Sequence, residues 1–359
     1  MMKIIRSSKT SLKFLTEKKR QTLYGVMDEY SCLVNLFIEM FWGNEFAKKN
    51  LTKDITNIPH SWLTARMRQC AAREALGMVD GEKTSAQEMD RESVKPHHSG
   101  RKMILSAQVV KIENSQSNQF NYWLVLTSIG HKIKINMPIK SHRQMNQFYN
   151  WKRSTTVTIH REYVQFSFEK ETDKKLTTGK NVGIDVGINH LLATSDQELI
   201  GSEVKQQINK IKAKKQGSKK YKTAKKALSY YLHKMVKDYF SQHKNLRLVV
   251  VEKLKHLKRG KSKNRGKAFR KTLSNWNYRE LLNIIEMRCE ENRVSFRSVN
   301  PYKTSQTCPT CTHVERENRS GEKFLCLRCG YEEHADLVGA QNILERFLSG
   351  QYGAAFKAD

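Results

Sequence analysis

The chain changes its hydrophobic period more than once. Leu23, Val26, Met27, Tyr30, Leu33, Phe37 and Met40 recur at steps of three and four, the spacing of one helix face, and Gly43 offers a stop. A second helix is predicted after Ser61, through Leu63, Met67, Cys70 and Leu76, ending at Gly77. Residues 79–102 are rich in acid and Ser and hold no period, so they predict a surface connector in which His97 and His98 are solvated. From residue 103 the step becomes two. Ile133, Ile135 and Met137 alternate with Lys132, Lys134 and Asn136, and Val164, Phe166 and Phe168 alternate with polar neighbours. With MILSAQVVKI, NYWLVLTSI and an opening strand at residues 2–12, this predicts a small antiparallel barrel with a helical lobe inserted after its first strand. The lysines on these strands fit a solvated face, with phosphate contact as the alternative.

The second half reads as alternating strand and helix. NVGIDVGINHLLATS, residues 181–195, is a buried strand, a glycine-containing turn and a second strand, with Asp185 held between Ile184 and Val186. A carboxylate in an apolar strand is expensive unless it binds something, a lysine partner being the plainer explanation. Residues 202–241 predict a long helical region. Tyr221, Ala224, Leu228, Tyr231, Leu232, Met235 and Tyr239 form one face, and ten lysines between 205 and 226 crowd the other side. So dense a single-sign field favours a phosphate track over a merely solvated face. LRLVVVEKL, 246–254, repeats the first arrangement, an apolar run leading into Glu252 at the end of a central strand. KHLKRGKSKNRGKAFRK, 255–271, has nine Lys or Arg among seventeen residues and predicts a mobile basic loop. WNYRELLNIIEMRCEENR then predicts a helix packed on the sheet, with Trp276 and Tyr278 in the core and base stacking as the alternative, before a last strand, VSFRSVN.

Charge narrows the partners. The chain has 359 residues, 38% of them hydrophobic, which allows two or three globular domains. Lys plus Arg less Asp plus Glu is 65 − 35 = +30, an excess that implies a polyanionic partner, nucleic acid first. The N-terminal MMKIIRSSKTSLKF lacks the apolar core of a signal peptide, and no segment approaches a membrane span, which excludes membrane-spanning classes. Cys32, Cys70 and Cys289 fall outside any pattern and suit a reducing cytoplasm.

The strongest local signal is C-x2-C-x14-C-x2-C at Cys308, Cys311, Cys326 and Cys329. Each close pair can take one side of a single zinc ion, and the regular spacing favours a zinc ribbon over unrelated cysteines or two disulfides. Four thiolates leave no open position, so such an ion is structural. Asp336 then opens a helix whose stripe is Ala340, Ile343, Leu344 and Phe347; by itself it fits an ordinary N-cap. With Asp185 and Glu252 it completes an acidic trio suited to two Mg²⁺ ions about 4 Å apart, Asp185 bridging both and Glu252 and Asp336 each completing a shell.

These segments carry a family resemblance. GIDVGINHLLATSD resembles the first RuvC motif of TnpB, the transposon-encoded RNA-guided nuclease family related to compact type V CRISPR effectors; VVVEKL resembles the second. YKTSQTCPTCT and FLCLRCGYEEHADLVGAQNI resemble its ribbon and third motif. The likeness is specific over 181–347 and architectural before that. It implies an α+β multidomain fold: an RNase H-like (RuvC) α/β nuclease domain over 178–303 and 335–349, with an inserted zinc ribbon, the target-nucleic-acid-binding insert, over 304–334. A wedge β-barrel over 1–12 and 103–172, interrupted by a helical recognition lobe and connector over 13–102, would precede it, and 350–359 would be a tail. It further implies Asp185, Glu252 and Asp336 as catalytic Mg²⁺ ligands, one structural Zn²⁺, a guide RNA from the element's end, and a monomer in the prokaryotic cytoplasm. Double-stranded DNA would be cut beside a short flanking motif, with base pairing supplying specificity. Val338-Gly339-Ala340 departs from the family's Asn-Ala-Ala, and Thr312 stands where a glycine usually follows the first cysteine pair. The alternatives are a nuclease-inactive RNA-guided repressor, a DNA-strand transposase, and a guide-free single-strand binder. Three acidic motif positions favour an active enzyme, and a ribbon between the second and third acids favours the nuclease over the transposase.

Overall fold

The structure, a computed structural model, describes residues 2–43, 51–116, 119–128, 133–254, 271–272 and 274–350. The basic run at 255–270 and most of the tail expected at 350–359 lie outside the described residues. The chain divides into two compact units, Lys3–Glu171 and Thr172–Asp359, the second taking in residues 1–2.

The first unit follows β1 (Met2–Ser11), α1 (Glu17–Phe41), α2 (Lys53–Asn57), α3 (Ala65–Glu88), β2 (Lys102–Leu105), β3 (Val110–Asn114), β4 (Tyr122–Ser128), β5 (Ile133–Ile139), α4 (Arg143–Asn146), β6 (Lys152–His160) and β7 (Tyr163–Thr172). Its strands form two sheets, ordered β1-β7-β6-β2 and β3-β4-β5. The apolar stripes of α1 and α3 share one core with the inward positions of these strands, among them Met137, Ile159 and Phe166.

Three expectations are corrected here. Helix α3 does not stop at Gly77 but continues to Glu88, because Val79 and Ala86 are still buried. A helical glycine costs about 1 kcal/mol, which burial on this scale offsets. The segment MILSAQVVKI is two strands in different sheets, β2 and β3, divided by a turn at Ser106. His97 is exposed as expected, but His98 is buried at 3% exposure. Its Nδ1 lies 2.9 Å from the Ser31 hydroxyl, and its Nε2 faces the buried Glu74 carboxylate at 3.6 Å. A buried acid requires such company, and Glu74 also accepts from the Tyr30 hydroxyl and pairs with Lys102.

The second unit runs β8 (Lys180–Val186), β9 (Leu192–Thr194), β10 (Leu199–Ile200), α5 (Val204–Lys212), α6 (Lys219–Gln242), β11 (Leu246–Glu252), α7 (Tyr278–Glu291), β12 (Ser295–Val299), β13 (Arg319–Ser320), β14 (Lys323–Leu325), β15 (Glu332–His334) and α8 (Ala335–Leu348). Its main sheet is ordered β10-β9-β8-β11-β12, with β8, β11 and β12 parallel. The lysine-rich stretch is two helices, not one: they part around Gly217, whose φ of 82° suits only glycine well, and the Ser218 hydroxyl caps α6 by accepting from the Tyr221 amide at 3.1 Å. Trp276 and Tyr278 are buried in the core.

Side-chain alternation assigns the two faces of this sheet. Val182, Ile184, Val249 and Val251 pack with α5, α6 and α7, while Leu248, Val250 and Val299 pack with Ile343 of α8. By the same period of two, Gly183, Asp185 and Glu252 fall on the α8 side. Helix α8 lies so close there that a Cβ at Gly183 would stand 2.2 Å from the Ala340 carbonyl oxygen. No side chain fits that gap. Gly183→Ala is therefore expected to destabilise the second unit by about 3 kcal/mol, the upper range of overpacking effects, read as a lowered urea midpoint with unchanged slope; a midpoint equal to wild type would refute the close seam.

Candidate active site and thiolate centre

The seam between α8 and the sheet is also where the acids gather. Strands β8 and β11 are parallel with Val251 opposite Ile184, so the next step places Glu252 beside Asp185, with adjacent strands about 4.8 Å apart. Asp336 enters from above, in the first turn of α8, where the helix dipole favours a negative charge. Gly339 makes room: a Cβ there would come 3.0 Å from Asp185 Oδ2. The departure from Asn-Ala-Ala at this point is thus a glycine pressed against a carboxylate. Sites at the carboxyl ends of parallel strands are the usual place for ligands in open α/β sheets.

Crowding decides the electrostatics. Asp185 keeps some accessible surface, yet its carboxyl is enclosed, and burial raises its pKa well above the ordinary range. Repulsion from Glu252 and then Asp336 pushes the same way, while Arg319 and the Val186 amide oppose it. Burial likewise raises Glu252, against a hydrogen bond from the Thr304 hydroxyl and the charges of Arg346 and Arg319. Asp336 is 9% exposed; its Oδ1 takes the Arg319 guanidinium at 2.8 Å, and its Oδ2 lies 3.9 Å from His190 Nδ1.

Four groups at this site were not marked by spacing. Arg319 comes from β13 of the ribbon hairpin, and Nε is held by the Gly321 carbonyl at 3.1 Å. Thr304 donates to Glu252 Oε1. Asn342 on α8 anchors the Thr304 segment by donating to the carbonyls of Thr304 and Thr307, each at 2.7 Å. Arg346 donates to the carbonyls of Asn300 and Tyr302 at 2.6 and 2.8 Å. Only the seven-residue offset from Asp336 to a core-facing Ile343 hinted that α8 would present polar groups on this side.

The four cysteines converge separately. Cys308 Sγ lies 3.6 Å from Cys329 Sγ, and Cys311 Sγ lies 3.5 Å from Cys326 Sγ, with all four sulfurs within 4.8 Å of one another. A tetrahedral site with Zn–S bonds of about 2.3 Å has edges of about 3.8 Å, so this cluster could hold a zinc ion. Burial works against a charged Cys326, but the amides of Cys329 and Arg328 and the Cys311 thiol outweigh it and bring the thiol down to about 6. The strands β13, β14 and β15 form a three-stranded sheet whose small core is Phe324 with Cys308, Cys326, Ala335 and Val338. Thr312 adopts φ 58°, the left-handed conformation that its β-branched side chain disfavours.

With this geometry in place, comparison with known proteins identifies the class first. Residues 278–343 match the family model described as "Cas12f1-like, TNB domain". Among solved structures, a Cas12f1–sgRNA–target DNA complex superposes with a TM-score of 0.59 at 15% identity, covering 91% of this chain and 83% of that one. The mini RNA-guided endonuclease CRISPR-Cas_phi3 gives 0.56 at 11% identity, covering 95% and 92%. At such identities the likeness shows the fold alone: the α+β multidomain fold of compact type V effectors. A CRISPR-associated endodeoxyribonuclease Cas12f1 of Sulfoacidibacillus thermotolerans is 39% identical over 72 residues, 20% of this chain and 17% of that protein. TnpB-like proteins of Methanocaldococcus jannaschii and Aquifex aeolicus are 28% identical over 124 residues and 34% identical over 114, covering 34% and 31% of this chain. The matched regions span less than half the length of each of these relatives, 44% and 37% of the two TnpB-like proteins. Over these segments the chain is similar to TnpB-like proteins and to Cas12f1.

The raised carboxyl pKa values make stability depend on pH with a definite sign. A buried acid whose folded pKa is raised costs stability once pH exceeds its unfolded value, and that cost is complete above the folded value. In zinc-replete, Mg²⁺-free buffer, Asp185→Asn is expected to melt several degrees above wild type at pH 7.5, since about 1 kcal/mol corresponds to about 2–4 °C for a unit of this size. The difference should close as pH falls to about 4. Calorimetry across that window checks it, and equal melting at pH 7.5 would show that the carboxyl is not enclosed.

Proposed function

We propose that this chain is an RNA-guided DNA endonuclease that hydrolyses double-stranded DNA beside a short flanking motif. The observation that carries the reading is the enclosure of Asp185 with Glu252 and Asp336 at the ends of two parallel strands and the start of a helix. Desolvation and mutual repulsion leave this trio short of positive charge, and its donors are all hard oxygens, a set that fits Mg²⁺. Asp185, Glu252 and Asp336 would hold two such ions, which when bound polarise a phosphodiester and lower the pKa of a water. The chain's own residues do the rest. Thr304 fixes the rotamer of Glu252, and Asn342 fixes Thr304. Arg319 spends Nε and Nη2 on Gly321 and Asp336, so Nη1 can meet a phosphate oxygen at the edge of the trio.

Two further features support the reading. The lysines of residues 205–226 are exposed, apart from Lys212, which donates to the Thr272 hydroxyl at 2.8 Å. They give α5, α6 and the turn between them a phosphate-binding surface suited to a nucleic-acid backbone. The similar structures include complexes with guide RNA and, for Cas12f1, target DNA, and the related Cas12f1 proteins are endodeoxyribonucleases. The thiolate cluster is read as one structural zinc. It holds the ribbon that delivers Arg319, because Phe324 and its few neighbours are too small a core to fold by themselves. No described helix is long and apolar enough to cross a membrane.

The direct test is expression with the native flanking DNA, recovery of the protein with its bound RNA, and challenge with plasmids carrying a guide-matched target beside randomised bases. Mg²⁺-dependent double-strand cleavage confined to one flanking motif is expected, with a loss of at least about 10³-fold in Asp185→Ala and undiminished target binding. Binding without cutting by the wild type would favour the repressor, and joining of DNA ends the transposase. Cys308→Ser is expected to lose one zinc equivalent, measured by mass spectrometry, and to expose the ribbon to protease, whereas Asp185→Ala should do neither. Retained zinc in the serine variant would remove the thiolate site.

A further inference from the structure

A second cluster of metal-binding side chains lies beside the carboxylate trio and belongs to neither site above. His190 sits in the turn between β8 and β9, Glu322 in the turn between β13 and β14, and His334 at the end of β15. One donor atom from each, an imidazole nitrogen or a carboxylate oxygen, lies within 4.8 Å of the others. They meet because the ribbon hairpin is tied to the start of α8: the Ala335 amide donates to the Glu322 carbonyl at 2.7 Å, and Lys323 pairs with His334 across the sheet. The two imidazoles meet edge to face, 5.3 Å between centroids. His190 Nδ1 is buried and has no hydrogen-bond partner among the described residues, an unusual state for a polar atom unless something else engages it.

We propose that His190, Glu322 and His334 form a binding site for a first-row transition-metal ion such as Zn²⁺, distinct from both the four thiolates and the three carboxylates. Two imidazoles with one carboxylate are borderline donors that suit zinc, cobalt or manganese and disfavour Mg²⁺, which demands oxygen and dehydrates reluctantly. Glu322 is exposed and the two histidines half-buried, so an ion can enter and keep water in its remaining positions. Asp336 Oδ2, 3.9 Å from His190 Nδ1, adds negative charge nearby; Arg319 on Asp336 Oδ1 is the opposing cation. The Asp336 amide donates to His334 Nδ1 at 3.3 Å, a long helix-capping bond. A neutral imidazole gives up that bond whichever nitrogen takes the ion: Nδ1 directly, Nε2 because the ring proton then resides on Nδ1. Loading of this site therefore loosens the cap directly above Asp336.

The experiment is a zinc titration of the intact protein by equilibrium dialysis, with Mg²⁺ in large excess to occupy the carboxylates. Wild type is expected to bind two zinc equivalents, and Glu322→Gln one, with an unchanged circular dichroism spectrum and melting point. Glu322 is the safest probe, because its side chain has no role in the packing of the hairpin; His190→Gln should give the same result. Asp185→Asn should still bind two. A single equivalent in wild type would overturn the proposal. So would a second equivalent that survives in Glu322→Gln, or one that disappears in Asp185→Asn, which would place it among the carboxylates. The readout is binding alone, so it stands whether or not the protein cuts DNA.

Discussion

The second unit depends on one close approach. Helix α8 crosses β8 with no space for a side chain at Gly183, and this contact draws Asp336 down to Asp185 and Glu252. Asp185 and Glu252 in that position oppose folding, since burial desolvates both carboxyls and Glu252 and Asp336 repel Asp185. The apolar contacts on both sides of the seam hold them there: Leu248, Val250, Val299 and Ile343 below α8, and the larger core of α5, α6 and α7 beneath the sheet. The fold stores an unfavourable charge arrangement, which is the condition under which a divalent cation binds strongly and a carboxylate cluster acquires a chemical use.

The ribbon connects to this seam more intimately than a separate module would. Its hairpin supplies Arg319 to Asp336, its leading segment supplies Thr304 to Glu252, and Asn342 of α8 holds that segment through two carbonyls. A small sheet with a core of one phenylalanine has little stability of its own, so the thiolate cluster controls whether these groups arrive. The same hairpin brings Glu322 to His190 and His334, so the proposed third metal site adjoins the carboxylates, with His190 Nδ1 3.9 Å from Asp336 Oδ2. In the proposed reading, metal occupancy in the ribbon and geometry at the acids are thereby linked through one short stretch of chain.

Much of the second half was legible in its pattern. The apolar runs ending in Asp185 and Glu252 were readable as central strands because both faces of a parallel sheet are buried, which produces continuous Val, Ile and Leu rather than alternation. The paired cysteines were readable because two-residue spacing is itself a chelating geometry. The first half was harder. Gly77 looked like a stop in α3, but the helix passes through it because residues further on still find the core. His98 looked solvated beside His97, yet it packs on Ser31 and faces Glu74, a contact between residues 24 apart that no local rule anticipates.

The sequence by itself determined most of the element types, the acid at the end of each of two apolar strands, the spacing of the four cysteines and the strongly positive charge. These follow from local periodicity, ligand spacing and composition, which require no knowledge of what lies across the chain. Tertiary structure decided everything that depends on approach: that Gly183 and Gly339 leave room for a helix and a carboxylate, that Arg319 and Thr304 arrive from the ribbon, and that His190 finds His334. Those contacts join residues from 17 positions apart, Arg319 and Asp336, to 157, Gly183 and Ala340, and distance between such residues is set by packing, not by sequence spacing.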